Sequence, residues 1–134
     1  MIRGSSPLDE RTEGYVSEAM ECGFVVHRTL GPGFHEVTYR NALCLELQAQ
    51  NIPFECERTF VVRYRGKPVS SHRLDLVVRG CVVIELKAVR MLERAHEAQV
   101  LSYLKASNLP VGLLMNFAGA TLKEGLRRII LRAS

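Results

Sequence analysis

The stretch Arg73-Leu74-Asp75-Leu76-Val77-Val78-Arg79-Gly80-Cys81-Val82-Val83-Ile84-Glu85-Leu86-Lys87 decides how this chain folds. Two β-rich runs flank Gly80, and glycine between such runs marks a turn. Side chains alternate between the faces of a strand. Leu74, Leu76 and Val78 therefore share one face, opposite Arg73, Asp75 and Val77. In the second run Val82, Ile84 and Leu86 share a face, opposite Val83, Glu85 and Lys87. Each run has one apolar face and one on which charges sit among apolar residues. An antiparallel sheet with one face in water gives this pattern; so does a face that gathers charges to do chemistry.

Register separates the two. A two-residue turn at Arg79-Gly80 pairs Val78 with Cys81 and sends Asp75 and Glu85 to opposite faces. A three-residue loop, Val78-Arg79-Gly80 with Gly80 left-handed, pairs Val77 with Cys81, Asp75 with Val83 and Arg73 with Glu85. Asp75, Glu85 and Lys87 then share a face, because a one-residue slip flips every side chain. Glycine at the third loop position selects this second register.

Working outward, Ala19, Val26 and Leu30 predict a helix over 16–30, stopped by Gly31-Pro32-Gly33. A second helix is expected over 35–50, ended by Asn51-Ile52-Pro53. Strands are expected over 59–64, 72–78 and 81–88, with a turn at Arg65-Gly66-Lys67-Pro68. A helix over 93–107 and a buried strand over 111–117 follow, and 122–131 reads as a terminal helix or an edge strand. The expectation is an α/β fold, one sheet flanked by helices, with a loose segment over 1–14 and a single domain over 15–134.

The 134 residues carry 18 Lys and Arg against 14 Asp and Glu, a balance compatible with nucleic acid without requiring it. The first residues lack an apolar h-region and no run is long enough to span a bilayer, so a cytoplasmic protein with no membrane partner is expected. Cys22, Cys44, Cys56 and Cys81 form no CxxC pair, and His27, His35, His72 and His96 are scattered, which argues against a zinc knuckle. The cysteines read as reduced and mostly buried. There is no GxxxxGK[ST] loop and no GxSxG elbow.

Polar residues on apolar stripes nominate a site. Glu36 precedes Tyr39 by three and Leu43 by seven, so it projects from the stripe of the second helix. It is equally a first-turn acid favouring the helix dipole. Gln99 and Tyr103 lie one turn apart on the third helix, with His96 on the same face. They either border an amphipathic stripe or orient water and phosphate. Asp75 and Glu85 on adjacent strands are suited to a hard divalent cation such as Mg²⁺ or Mn²⁺, with Glu36 completing the shell. Lys87, about 6.6 Å along the strand from Glu85, is placed to hold water or offset phosphate charge.

Together these residues resemble a known family. Leu30-Gly31-Pro32-Gly33-Phe34-His35-Glu36-Val37-Thr38-Tyr39 fits the signature of the GxxExxY group of small bacterial and archaeal proteins. The likeness continues through Arg73-Leu74-Asp75, Ile84-Glu85-Leu86-Lys87-Ala88-Val89, His96-Glu97-Ala98-Gln99, Tyr103-Leu104-Lys105-Ala106 and Val111-Gly112-Leu113-Leu114-Met115-Asn116-Phe117, covering about residues 15–131. That group looks like a compact branch of the PD-(D/E)XK nuclease superfamily. The resemblance implies a restriction-endonuclease-like αβββαβ core with a divalent-metal site. Asp75, Glu85 and Lys87 match the superfamily's aspartate, second acid and lysine, and Glu36 the acid on the preceding helix. Gln99 and Tyr103 match the QxxxY motif of RecB-like nucleases. Leu74 stands where the superfamily's name puts a proline. The implied activity is metal-dependent phosphodiester hydrolysis in DNA, ahead of RNA, with Arg73 and Lys105 as phosphate contacts. The alternative is a non-catalytic nucleic-acid-binding or assembly module on the same fold. A homodimer or larger partner is compatible with so small a chain.

Overall fold

The computed structural model describes residues 7–131. Helices α1 (Glu10–Leu30) and α2 (Glu36–Ala49) precede strands β1 (Phe54–Tyr64), β2 (Lys67–Val78) and β3 (Val82–Lys87). Helix α3 (Arg94–Ser107), β4 (Val111–Asn116), a short 3-10 turn (Lys123–Gly125) and β5 (Leu126–Ile130) complete the chain. The strands form one mixed sheet in the order β1-β2-β3-β4-β5. Only β3 and β4 run parallel, and α3 makes the crossover a parallel pair needs.

Helix α1 starts well ahead of residue 16. Asp9 caps it by accepting from the Thr12 N–H at 2.8 Å, and Glu10 and Glu13 occupy the positive first turn. Of the segment expected to be loose, 1–6 lies outside the described residues and 10–14 is helical. The ambiguous stretch after Leu122 becomes β5, an edge strand antiparallel to β4.

Both faces of the sheet are covered. On one, Ala19, Val26, Tyr39, Leu43 and Leu47 from α1 and α2 pack on Leu76, Val78, Ile84, Leu86 and Met115. On the other, Val100 and Leu104 of α3 pack on Leu74, Val77, Val83 and Leu114. Gly112 lets α3 settle, since a Cβ there would stand 2.6 Å from Val100 Cγ1. The charged face of the hairpin is therefore not a solvated one.

Two expectations are corrected here, one of them by a local distortion. Leu74 joins the α3 side with Val77 rather than the Leu76 side. Alternation slips at Asp75, which is missing from both ladders and lies across from Glu57, a residue with φ 54°. Of the cysteines only Cys22 is buried. Cys56 is exposed because β1 is an edge strand, and its Sγ meets Cys44 Sγ at 3.0 Å, both as free thiols. Among the described residues no helix is long and apolar enough to cross a membrane.

Candidate functional site

The β2–β3 turn sets the geometry. Arg79 and Gly80 both have positive φ, 52° and 69°, and the Cys81 N–H donates to Val78 O at 3.1 Å. That is the two-residue turn, yet the ladder opens with Val78↔Val82 because Cys81 is an extra, bulged residue. Val77 thus pairs with Val83 and not Cys81. One step beyond Leu76↔Ile84, Asp75 faces Glu85 rather than Val83, and Arg73 does not oppose Glu85. The expected register is off by two residues. With alternation broken at Asp75, it is hydrogen bonds from each carboxylate to the other strand that bring Asp75 and Glu85 together.

At Asp75 and Glu85 the carboxylates replace the ladder. The Asp75 N–H donates to Glu85 Oε1 at 3.2 Å, and the Leu86 N–H donates to Asp75 Oδ2 at 3.0 Å. Each acid commits one oxygen to the opposing backbone and retains a second. Glu85 is only 6% exposed. Burial, then the charges of Asp75 and Glu36, push its carboxyl up to about 8, against the Asp75 N–H and Lys87. Desolvation and then Asp75 raise Glu36, against Lys87 and Arg40. Burial, followed by the charges of Glu85 and Asp75, raises the Tyr103 hydroxyl, and hydrogen bonding to Gln99 opposes this. Glu36, Asp75 and Glu85 thus lie within electrostatic reach of one another, Lys87 within reach of Glu36 and Glu85, and Tyr103, with Gln99 beside it, within reach of Glu85 and Asp75.

Glu36 is carried there by its neighbours. Tyr39 is fully buried and stacks on Phe117 at 4.5 Å. Its hydroxyl donates to Gly31 O at 2.6 Å and accepts from the Phe34 N–H at 3.1 Å. Gly33 supplies a φ of 113° that an L side chain rarely adopts. The spacing of Gly33, Glu36 and Tyr39 is therefore a turn, a presented carboxylate and a clip on the loop before it. Glu57 bridges Arg40 of α2 at 3.4 Å and Arg73 of β2 at 3.5 Å, tying the N-terminal half of α2 to the strand that bears Asp75.

Asn116 was not singled out from the sequence. It is buried, accepts from the Val89 N–H at 3.0 Å and donates to Val89 O at 2.8 Å, while the Phe117 N–H donates to Lys87 O at 2.9 Å. These bonds hold the chain just past Lys87. A lone amide ending the apolar run Val111-Gly112-Leu113-Leu114-Met115 was the available signal. His96 is not a site group: its Nδ1 accepts from the Glu93 N–H at 2.9 Å in a capping box. Arg73 lies at the rim, held by Glu57. Lys105 is exposed on α3, and no contact joins it to the acids.

A family model described as the PD-(D/E)XK nuclease superfamily matches residues 13–129. The chain belongs to that superfamily. No curated protein matches. The crystal structure of SSO0001 is similar, with a TM-score of 0.58 and 21% identity over 92% of this chain, which shows a shared fold. This chain spans 63% of that protein's length. The mixed five-stranded sheet with flanking helices fits a PD-(D/E)XK nuclease, a superfamily whose members typically use divalent metals. Among the described residues no three His, Cys, Asp or Glu side chains stand together ready to hold an ion. The donor chemistry nevertheless suits one. Asp75 and Glu85 offer the hard carboxylate oxygens that a divalent cation takes.

Proposed function

We propose that this PD-(D/E)XK protein is a divalent-metal-dependent nuclease of the GxxExxY branch, hydrolysing phosphodiester bonds in DNA ahead of RNA, in the cytoplasm. Asp75 and Glu85 would hold Mg²⁺ or Mn²⁺, with Glu36 as a further or water-mediated ligand. The ion supplies activation of water and charge neutralisation at the phosphate. Lys87 positions the attacking water through its ammonium and offsets developing negative charge. Gln99 and Tyr103 orient water or a phosphate oxygen from α3. Arg73 and Lys105 contact flanking phosphates. A homodimer or larger partner would extend the surface that a chain of 134 residues offers to a duplex.

The observation that carries this reading is the facing of Asp75 and Glu85 across β2 and β3, each accepting a backbone N–H of the other strand. The test is cleavage of a labelled oligonucleotide with Mg²⁺ or Mn²⁺. Asp75→Ala and Lys87→Ala should each lower the rate by about a hundredfold or more, and EDTA should abolish it. Unchanged cleavage in either variant rejects the mechanism. The absence of a ready three-donor cluster among the described residues favours a second reading, a non-catalytic nucleic-acid-binding or assembly module. Oligonucleotide binding without turnover, and a melting temperature indifferent to Mg²⁺, would select it.

A further inference from the structure

The β1–β2 hairpin runs past the end of β3. Continuing the β2–β3 register places Arg73 across from Lys87, the last residue of β3. Residues 67–72 of β2 therefore pair only with β1, from Tyr64↔Lys67 to Phe60↔His72. At about 3.4 Å per residue this ribbon overhangs by roughly 20 Å. Because β2 is antiparallel to β3, it leaves the sheet at the Lys87 end. The rings of Phe60, His72 and Tyr103 meet at its base, with centroids 5.4–6.0 Å apart, so the ribbon connects directly to the candidate site.

Its surface is one-signed. Residues 58–73 contain Arg58, Arg63, Arg65, Lys67 and Arg73 and no Asp or Glu. Arg58 and Arg73, at the base, are bridged to Glu55 and Glu57. Arg63, Arg65 and Lys67 toward the tip are exposed, and among the described residues no carboxylate pairs with them. Tyr64 and Val69 are 70% and 60% exposed beside them. A register shift between Val62 and Arg63 adds twist to the ribbon.

We infer that this ribbon is a binding arm for duplex DNA, with Arg63, Arg65 and Lys67 against phosphates while the duplex reaches Asp75 and Glu85. The inference rests on the nucleic-acid reading above. The major groove of B-form DNA admits a two-stranded ribbon, whereas the deep, narrow groove of A-form RNA does not.

The test is fluorescence anisotropy of a short labelled DNA duplex with the full chain in EDTA, over a salt series. Combined Arg63→Ser, Arg65→Ser and Lys67→Ser should weaken binding at least about tenfold at low salt. The slope of log affinity against log salt should fall by about 2.7, the value for three lost phosphate contacts. Turnover of bis(p-nitrophenyl) phosphate, too small to reach the ribbon, should be retained. Should the triple variant misfold, Arg65→Ser alone should remove about a third of the slope change. Wild-type affinity and slope in the variants overturn the arm while leaving the nuclease reading intact. Equal ribbon-dependent binding of duplex RNA also overturns it. A wild-type protein that neither binds nor cleaves any nucleic acid overturns both.

Discussion

The two ends of the β2–β3 hairpin are built on opposite principles. At the turn end Val77, Val78, Val82 and Val83 are fully buried and paired in the ladder. Arg79 there meets a compensating charge, its Nε and Nη2 donating to Glu18 at 2.8 and 3.2 Å, with its guanidinium 4.8 Å from the Tyr15 ring centroid. A few residues away the ladder stops and two carboxyl groups face each other, one of them buried. Burial, then the charge of Asp75, penalises ionised Glu85 and pushes its carboxyl up to about 8. The well-packed end holds the strands in register so that the other end can keep a costly pair in place.

The largest expected effect breaks the comparison at its polar end. Glu85→Gln keeps an oxygen for the Asp75 N–H but removes the buried charge. Oligonucleotide cleavage should fall about a hundredfold to a thousandfold, while thermal melting at pH 8 without metal should rise. A fall in both would mean that the acids are there for stability alone.

Next comes the packed end. Ile84→Ala removes a fully buried side chain between the helices and the sheet. It should cost about 2–5 kcal/mol by chemical denaturation. Residual folded protein should still cleave, because no acid is touched.

The pH dependence sharpens the contrast. Glu85 titrates near 8 in the fold and near 4.5 in the unfolded chain. Between those values the folded state binds the extra proton, so stability should fall as pH rises through that window. The slope is at most about 1.4 kcal/mol per pH unit. Denaturation across the window should show this slope in metal-free wild type. It should flatten in Glu85→Gln and with saturating Mg²⁺, and a flat wild-type curve would contradict the buried charge.

The smallest effect is at the turn. Arg79→Ala loses a partly exposed ion pair with Glu18 and should lower the melting temperature only slightly. Cleavage should be unchanged, since Arg79 lies at the far end of the hairpin from the acids.

Much of this arrangement was legible in local patterns. Alternation put Asp75 and Glu85 each on the mixed face of its own strand, but whether those faces meet depended on a register that the turn alone left two residues off. The proline and glycine breaks bracketed α2 and α3 to within a residue or two. Other features escaped for identifiable reasons. The Asp9 cap and acidic first turn start α1 early, where the apolar pattern before Val16 is too weak for periodicity to show a helix. His96 lay on the expected face but is consumed by a cap, since spacing cannot reveal which partner a ring nitrogen finds.

By itself the sequence determined the order of elements through β4 and the apolar positions within each, because these depend on neighbours within a few positions. Only the tertiary structure decided the register across Cys81, the slip at Asp75, the covering of both sheet faces and the clamp from Asn116 to Val89. It also decided that the basic hairpin outruns β3. Each of these depends on distant segments meeting, where packing and hydrogen-bond satisfaction outweigh local preference.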